Sequence, residues 1–386
     1  MVAVPVNKEV LVWARKERGL SKEEAANRLK LSIEEFEELE GGPKLPSIAM
    51  LERIAKKYQI PFASLLMPQP LPPTTRLQVA DFRTHGGKPP IWDQRLLVAV
   101  DMVNIQIEMF DELREHQPQL LFAPSIRNYS MATNASEVAR LEREQFGVTV
   151  EQQMAWPSGA QAFRHWRARV ERAGIFVQIM NVGPENLCRG FSVFDQRNVP
   201  VAVINGDENE GPARTFTLLH EYAHILVRAP GVSDQNKANK VERWCNQFAA
   251  HFLMPAEQFK ASAKSIDASG EWPDARLTEL AELYKVSRQA VTLHLEELGF
   301  VKEGFYEAKM VEWRKRKRKK GGLPMGYPER QVNRLGVRHL SIVLDALDKR
   351  ILSPLDAFEL TDIDPKHYKE VKTELEERLA KYGGVR

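Results

Sequence analysis

Apolar positions recur at helical spacing through most of this chain, and only two short stretches carry the continuous apolar run of a buried strand. From residue 6 to 66 the helical runs are short. Leu11 and Ala14, Ala25 and Leu29, Ile33, Phe36 and Leu39, and then Leu51, Ile54 and Ala55 fall at three- and four-residue steps. Connectors at Gly19-Leu20-Ser21, Leu31-Ser32 and Gly41-Gly42-Pro43 separate these runs. Ser21 and Ser32 each precede a helical run with a glutamate three residues on, Glu24 and Glu35, the arrangement of a capping box. The pattern predicts a small bundle with helices over 22–30 and 33–40, closed around those apolar residues. The stiff run from Pro68 to Pro73 ends it. Asp81-Phe-Arg-Thr84 and Gly86-Gly87 follow as a small extended element.

Further along, Arg95 to Arg114 reads as an amphipathic helix with Leu96, Val100, Val103, Ile107 and Phe110 on one side. Helices are predicted over 136–146 and 160–173, and strands over 175–180 and 199–205. Two more helices follow, Thr215 to Leu226 and Val241 to Met254, the second stopped by Pro255. Arg276 to Tyr284 and Ser287 to Leu298, joined at Lys285-Val286, form a helix pair. It suits either a second DNA-reading module or the closing layer of the preceding domain. From Val332 to Lys381 the chain is again helical, with Leu335, Leu340, Val343, Leu344, Leu347, Leu355, Ala357 and Leu360 as its expected core. The fold class predicted is mainly α with a small β-sheet (α+β).

Composition narrows the class. The chain has 386 residues, room for two or three domains, and only two cysteines, Cys188 and Cys245. That is too few for a secreted disulfide framework and fits a reducing compartment. The start of the chain lacks a signal-peptide layout, and no apolar run reaches the roughly 20 residues of a membrane span. A cytoplasmic protein without membrane contact is expected. The formal net charge is +3, so no global field favours nucleic acid. Arg314 to Lys320 is a run of seven basic residues, expected to be a solvated linker or helix end.

The chemistry concentrates in Thr217-Leu-Leu-His220-Glu221-Tyr222-Ala223-His224-Ile-Leu226. Two histidines four apart share one helix face and can bind one tetrahedral Zn²⁺, with Glu221 aimed at the metal-bound water. A catalytic zinc usually takes three protein ligands. On the 241–254 helix, Glu242, Cys245, Asn246 and Ala249 share a face, and the small residues would let it approach the histidine helix closely. Glu242 is then either the third ligand or a carboxylate favoured by the helix start. Cys245 suits a small buried contact or, one turn from Glu242, a ligand. Tyr222, His251 and His294 could each stabilise an oxyanion, and spacing selects none of them.

His220-Glu-Tyr-Ala-His224, followed by Glu242-Arg-Trp-Cys-Asn-Gln-Phe-Ala-Ala-His-Phe-Leu-Met-Pro255, resembles the ImmA/IrrE family of zinc metallopeptidases. The strand at 199–205 and the Arg214-Thr-Phe-Thr217 lead-in are similar to members of that family. The resemblance is specific over about residues 175–256. It implies a zincin-like fold, zinc held by His220, His224 and Glu242, and Glu221 as catalytic acid/base. It also implies hydrolysis of a peptide bond in a specific regulatory protein, a helix-turn-helix repressor controlling stress-response or mobile-element genes. The alternative is a transcriptional regulator or antitoxin-like binding module on an inactive protease fold.

The amino-terminal bundle resembles the Xre/Cro-repressor helix-turn-helix, but its would-be recognition helix carries Glu34, Glu35, Glu37, Glu38 and Glu40 and no base-reading Arg, Gln or Asn. Carboxylates repel phosphate, so DNA binding through the 33–40 helix is disfavoured and a protein partner is the competing expectation. The domain plan that follows is a helix-turn-helix domain at 1–68 and a linker with accessory helix at 69–130. A zincin-like peptidase domain at 131–275, a helix-turn-helix-like segment at 276–312 and a basic linker with helical end at 313–386 complete it.

Overall fold

Successive helices account for most of the chain in the computed structural model. It describes residues 4–43, 45–58, 60, 62–70, 94–116, 118, 125–184, 188–194, 197–208, 211–228, 235–266, 271–314 and 325–382. Among them are eighteen α-helices and a three-stranded sheet, as the mainly α, α+β reading requires. The end of the proline-rich run (71–73), the extended element expected at 81–84 and 86–87, and most of the basic run (315–320) lie outside the described residues. Two compact units are present, Met1–Leu77 with Ile91–Asn104, and Gln78–Pro90 with Ile105–Arg386.

In the first unit, α1 (Lys8–Glu17), α2 (Lys22–Leu29), α3 (Ile33–Gly41) and α4 (Ile48–Tyr58) enclose Leu11, Ala14, Ala25, Leu29, Phe36, Leu39, Leu51, Ile54 and Ala55. Both expected capping boxes form. Ser21 accepts from the Glu24 N–H and Ser32 from that of Glu35, while each glutamate accepts from the serine N–H. The acidic helix α3 is less uniform than its sequence suggests. Glu40 is buried and accepts from Arg15 Nε at 2.8 Å. Glu34, Glu35, Glu37 and Glu38 are exposed, with Glu37 receiving Lys22 Nζ at 2.7 Å.

The helix α5 (Gln94–His116) contributes residues to both units. The second unit continues with α6 (Ala135–Phe146), α7 (Val150–Met154), α8 (Gly159–Arg172), β1 (Phe176–Met180), β2 (Gly190–Val193) and β3 (Val201–Asn205). The strand order is β1-β3-β2. β1 runs parallel to β3 with Phe176 opposite Val201, and β2 runs antiparallel to it with Gly190 opposite Ile204. Next come α9 (Pro212–Val227), α10 (Gln235–Leu253), α11 (Ala256–Ile266), α12 (Asp274–Tyr284), α13 (Arg288–Glu297) and α14 (Phe305–Arg314). The chain closes with α15 (Tyr327–Leu335), α16 (Val337–Asp348), α17 (Pro354–Thr361) and α18 (Tyr368–Tyr382).

One continuous apolar core runs from the sheet through α9 and α10 to α12 and α13. It includes Ile175, Val177, Ala202, Leu218, Tyr222, Phe248, Phe252, Leu277, Tyr284 and Leu295. The pair α12–α13 therefore closes this layer. On α13, Thr292 and His294 are buried, and Arg288 is paired with Asp274.

The carboxyl-terminal helices fasten to the same sheet. Glu171, fully buried, accepts from Arg167 Nε at 3.1 Å and from the Val337 N–H at the start of α16. Gly336 turns the chain there at φ +87°, and a Cβ on it would stand 2.6 Å from the Val177 carbonyl oxygen. A second buried link joins α5, β1, α16 and α17. Gln178 Nε2 donates to Gln106 Oε1 (2.7 Å) and to His339 Nδ1 (3.2 Å), and His339 Nε2 donates to the Leu360 carbonyl (3.0 Å). Leu335, Leu340, Val343, Leu344, Ala357 and Leu360 are buried as expected. Leu347 is only half-buried and Leu355 is 65% exposed. Two residues are about 200° of helical rotation, so Leu355 faces away from buried Ala357.

Candidate metal centre

The helix α9 is placed by its first turn. Gly211 sits at the N-cap, Pro212 occupies the first position, where its missing N–H costs nothing, and Arg214 Nη2 donates to the Gly206 carbonyl at 2.9 Å. The expected lead-in Arg214–Thr217 therefore lies inside the helix, because Pro212 starts it earlier than the apolar pattern does. Thr217 Oγ1 donates to Glu208 Oε1 at 2.9 Å and anchors the next turn. Leu218, Leu219, Tyr222, Ala223, Ile225 and Leu226 are buried along the rest. The helix lies against β2, β3, α8 and α10.

Strand β2 approaches α9 closely. A Cβ on Gly190 would meet the Val203 carbonyl oxygen at 2.6 Å, Thr217 Cγ2 at 2.9 Å and Glu221 Oε1 at 3.1 Å. Only glycine fits there, and its absent side chain is what lets the Glu221 carboxylate, itself fully buried, lie along the strand.

His220 and His224 bring their Nε2 atoms to 3.1 Å from each other. Glu242, from α10, reaches both: Oε2 lies 3.2 Å from His220 Nε2 and Oε1 lies 3.1 Å from His224 Nε2. Ligands about 2.0–2.1 Å from a tetrahedral Zn²⁺ stand roughly 3.3 Å apart, so these separations suit one small cation held by all three residues. His220 is further oriented by Asn246, whose Oδ1 lies 3.0 Å from its Nδ1. An amide oxygen only accepts, so His220 donates through Nδ1 and keeps its Nε2 electron pair for the shared centre.

The electrostatics agree with the geometry. Burial works to raise the Glu242 pKa, but His220 and His224 outweigh it and hold the carboxyl far below its usual range. Burial also disfavours charge on His224, yet the neighbouring Cys245 and Glu242 raise its proton affinity well above that of an ordinary imidazole. Surroundings that attract a proton so strongly attract a divalent cation for the same reason. Cys245 is fully buried beside His224, and burial pushes its thiol pKa up. The convergent group is His220, His224 and Glu242, without Cys245.

The carboxyl end of α10 is fixed by side chains from three other helices. Arg143 Nη1 donates to the Phe252 carbonyl (2.6 Å), Gln153 Nε2 to that of Leu253 (3.0 Å) and His294 Nε2 to that of Met254 (2.8 Å). The three groups considered for an oxyanion have other partners. Tyr222 donates its hydroxyl to Glu142, and His251 and His294 turn toward Glu297.

Residues 170–296 match the family model of the IrrE N-terminal-like domain, Peptidase_M78. The matched stretch contains all three strands and α9 to α12, and with them His220, Glu221, His224 and Glu242. No curated protein matches the chain. The match supports a metallopeptidase of the IrrE and ImmA kind, with a metal cofactor. No described helix is long and apolar enough to cross a membrane.

Proposed function

We propose that this chain is a zinc-dependent endopeptidase of the ImmA/IrrE type. Its substrate would be one regulatory protein, a helix-turn-helix repressor of stress-response or mobile-element genes. The observation that carries the reading is the convergence of His220, His224 and Glu242 at tetrahedral-edge spacing, inside a stretch that matches a peptidase family. Zinc is the ion that a two-histidine, one-carboxylate set suits best, and when bound it acidifies water and polarises a carbonyl.

The chain's own residues do the rest. His220, oriented by Asn246, and His224 with Glu242 hold the ion. Glu221 takes the proton of the attacking water on its carboxylate and returns it to the nitrogen of the leaving segment. The buried setting of Glu221 keeps bulk water from competing for that proton.

The amino-terminal bundle, read as a helix-turn-helix, would dock the protein substrate rather than duplex DNA. Four exposed carboxylates on α3 repel phosphate, which supports that choice. The two buried cysteine thiols fit a cytoplasmic setting. The test is Glu221→Gln in the full chain. It should retain bound zinc, lose cleavage of a co-expressed repressor, and trap that substrate in a pulldown. A wild-type protein that takes up no zinc, or a Glu221→Gln protein that still cleaves, sinks the proposal.

A further inference from the structure

A second group of ligand atoms converges at the far end of α10. His251 Nε2 lies 3.1 Å from Glu297 Oε1, and His294 Nδ1 lies 3.4 Å from Glu297 Oε2. The three ligand atoms stand within 4.8 Å of one another. The ring of His251 meets that of His294 edge-on at 4.8 Å. Nine residues separate Glu242 from His251 on α10, about 13 Å of axial rise and half a turn of net rotation, so the two groups occupy opposite faces of one helix.

The backbone orients His294 toward the cluster. His294 is fully buried, and its Nε2 faces the Met254 carbonyl, which only accepts; that nitrogen carries the proton. In the neutral ring this leaves the Nδ1 electron pair on the side of Glu297. A histidine whose other nitrogen donates to a backbone carbonyl is also the usual arrangement around a bound metal.

We propose that His251, His294 and Glu297 form a second divalent-cation site, of the zinc class, separate from the His220–His224–Glu242 centre. The ligand set is two imidazoles and one carboxylate, and both histidine-to-carboxylate separations lie near the roughly 3.3 Å edge of a tetrahedral Zn²⁺ shell. Glu297 is exposed at the surface and gives the ion an entry path, while His294 closes the inner side. Bound there, the ion clamps the carboxyl end of α10 to α13. The proposal stands independently of peptidase activity.

The experiment is equilibrium dialysis of the full chain against Zn²⁺, with metal counted per chain and thermal melting followed in parallel. Wild type should take up about two equivalents, and Glu297→Gln or His251→Asn about one, with a lower melting temperature in saturating Zn²⁺. His224→Asn, which disables only the first centre, should retain about one equivalent and lose it when Glu297→Gln is added. Retention by His224→Asn that ignores the added Glu297→Gln overturns the site. So does a wild type that binds no more Zn²⁺ than its Glu297→Gln variant, which would leave the cluster a plain histidine–carboxylate ion pair.

Discussion

Removing the Asn246 amide should weaken the metal centre without touching a ligand. In Asn246→Ala, His220 loses the acceptor 3.0 Å from its Nδ1. The His220 side chain is fully buried, so solvent cannot easily replace the lost partner. The imidazole is then free to rotate or to carry its proton on Nε2, the nitrogen that must face the ion. Loss of such an outer partner typically lowers metal affinity 10- to 100-fold, about 1.4–2.7 kcal/mol. Asn246→Asp keeps an acceptor at the same place and should recover most of the affinity, which a purely structural role for the amide would not produce. The assay is Zn²⁺ affinity by competition with a chromogenic chelator at fixed pH, on proteins matched for melting temperature. Equal affinity in wild type and Asn246→Ala refutes the role, as does an Asp variant no tighter than the Ala variant.

His339 should make stability depend on pH. Burial, with help from Arg334 and against the Leu360 hydrogen bond, holds its pKa down at about 3, against about 6.5 in an unfolded chain. Between those values the unfolded chain binds a proton that the folded one refuses. Stability therefore falls as pH drops from about 6.5 toward 3, by about 1.4 kcal/mol per pH unit, and levels off below. Urea unfolding of wild type and His339→Asn across that window should show a shallower slope in the variant; equal slopes would contradict the assignment. Gly190→Ala should destabilise the protein by about 1–3 kcal/mol, because the Val203 carbonyl cannot yield cheaply and Glu221 is pushed from the strand. A wild-type melting temperature together with undiminished cleavage would show that the approach of β2 to α9 is looser than described.

The helices were legible wherever the 3.6-residue period and a capping residue agreed. Ser21 and Ser32 announce α2 and α3 before any packing is considered, and Pro255 marks the stop of α10. Strand β2 was not legible. Four residues beginning with glycine carry no period, and they are a strand because β3 offers them a ladder. The face shared by Glu242, Cys245 and Asn246 could be read from spacing, but the partner of Asn246 could not, since His220 lies 26 residues away on another helix. His251, His294 and Glu297 are likewise joined only by the packing of α10 on α13. Leu355 misled because an apolar residue at a helix start looks like core until the buried side of that helix is known. The amino-terminal glutamates were countable, yet which of them is taken inward by Arg15 depends on tertiary placement.

The fastening of the carboxyl-terminal helices has a consequence for how small this protein can be made. The Glu171 carboxylate, the Gln178 amide and the ring of Phe176 belong to the family-matching stretch, yet their partners at Val337, His339 and Arg338 lie far beyond its end. A fragment trimmed to residues 170–296 would expose a buried carboxylate without its cap and an aromatic strand without its cover. The boundary of the recognisable domain and the boundary of what can fold are therefore different lines along this chain. The helices from α15 onward act less as an appendage than as one wall of the domain that carries the candidate metal centre.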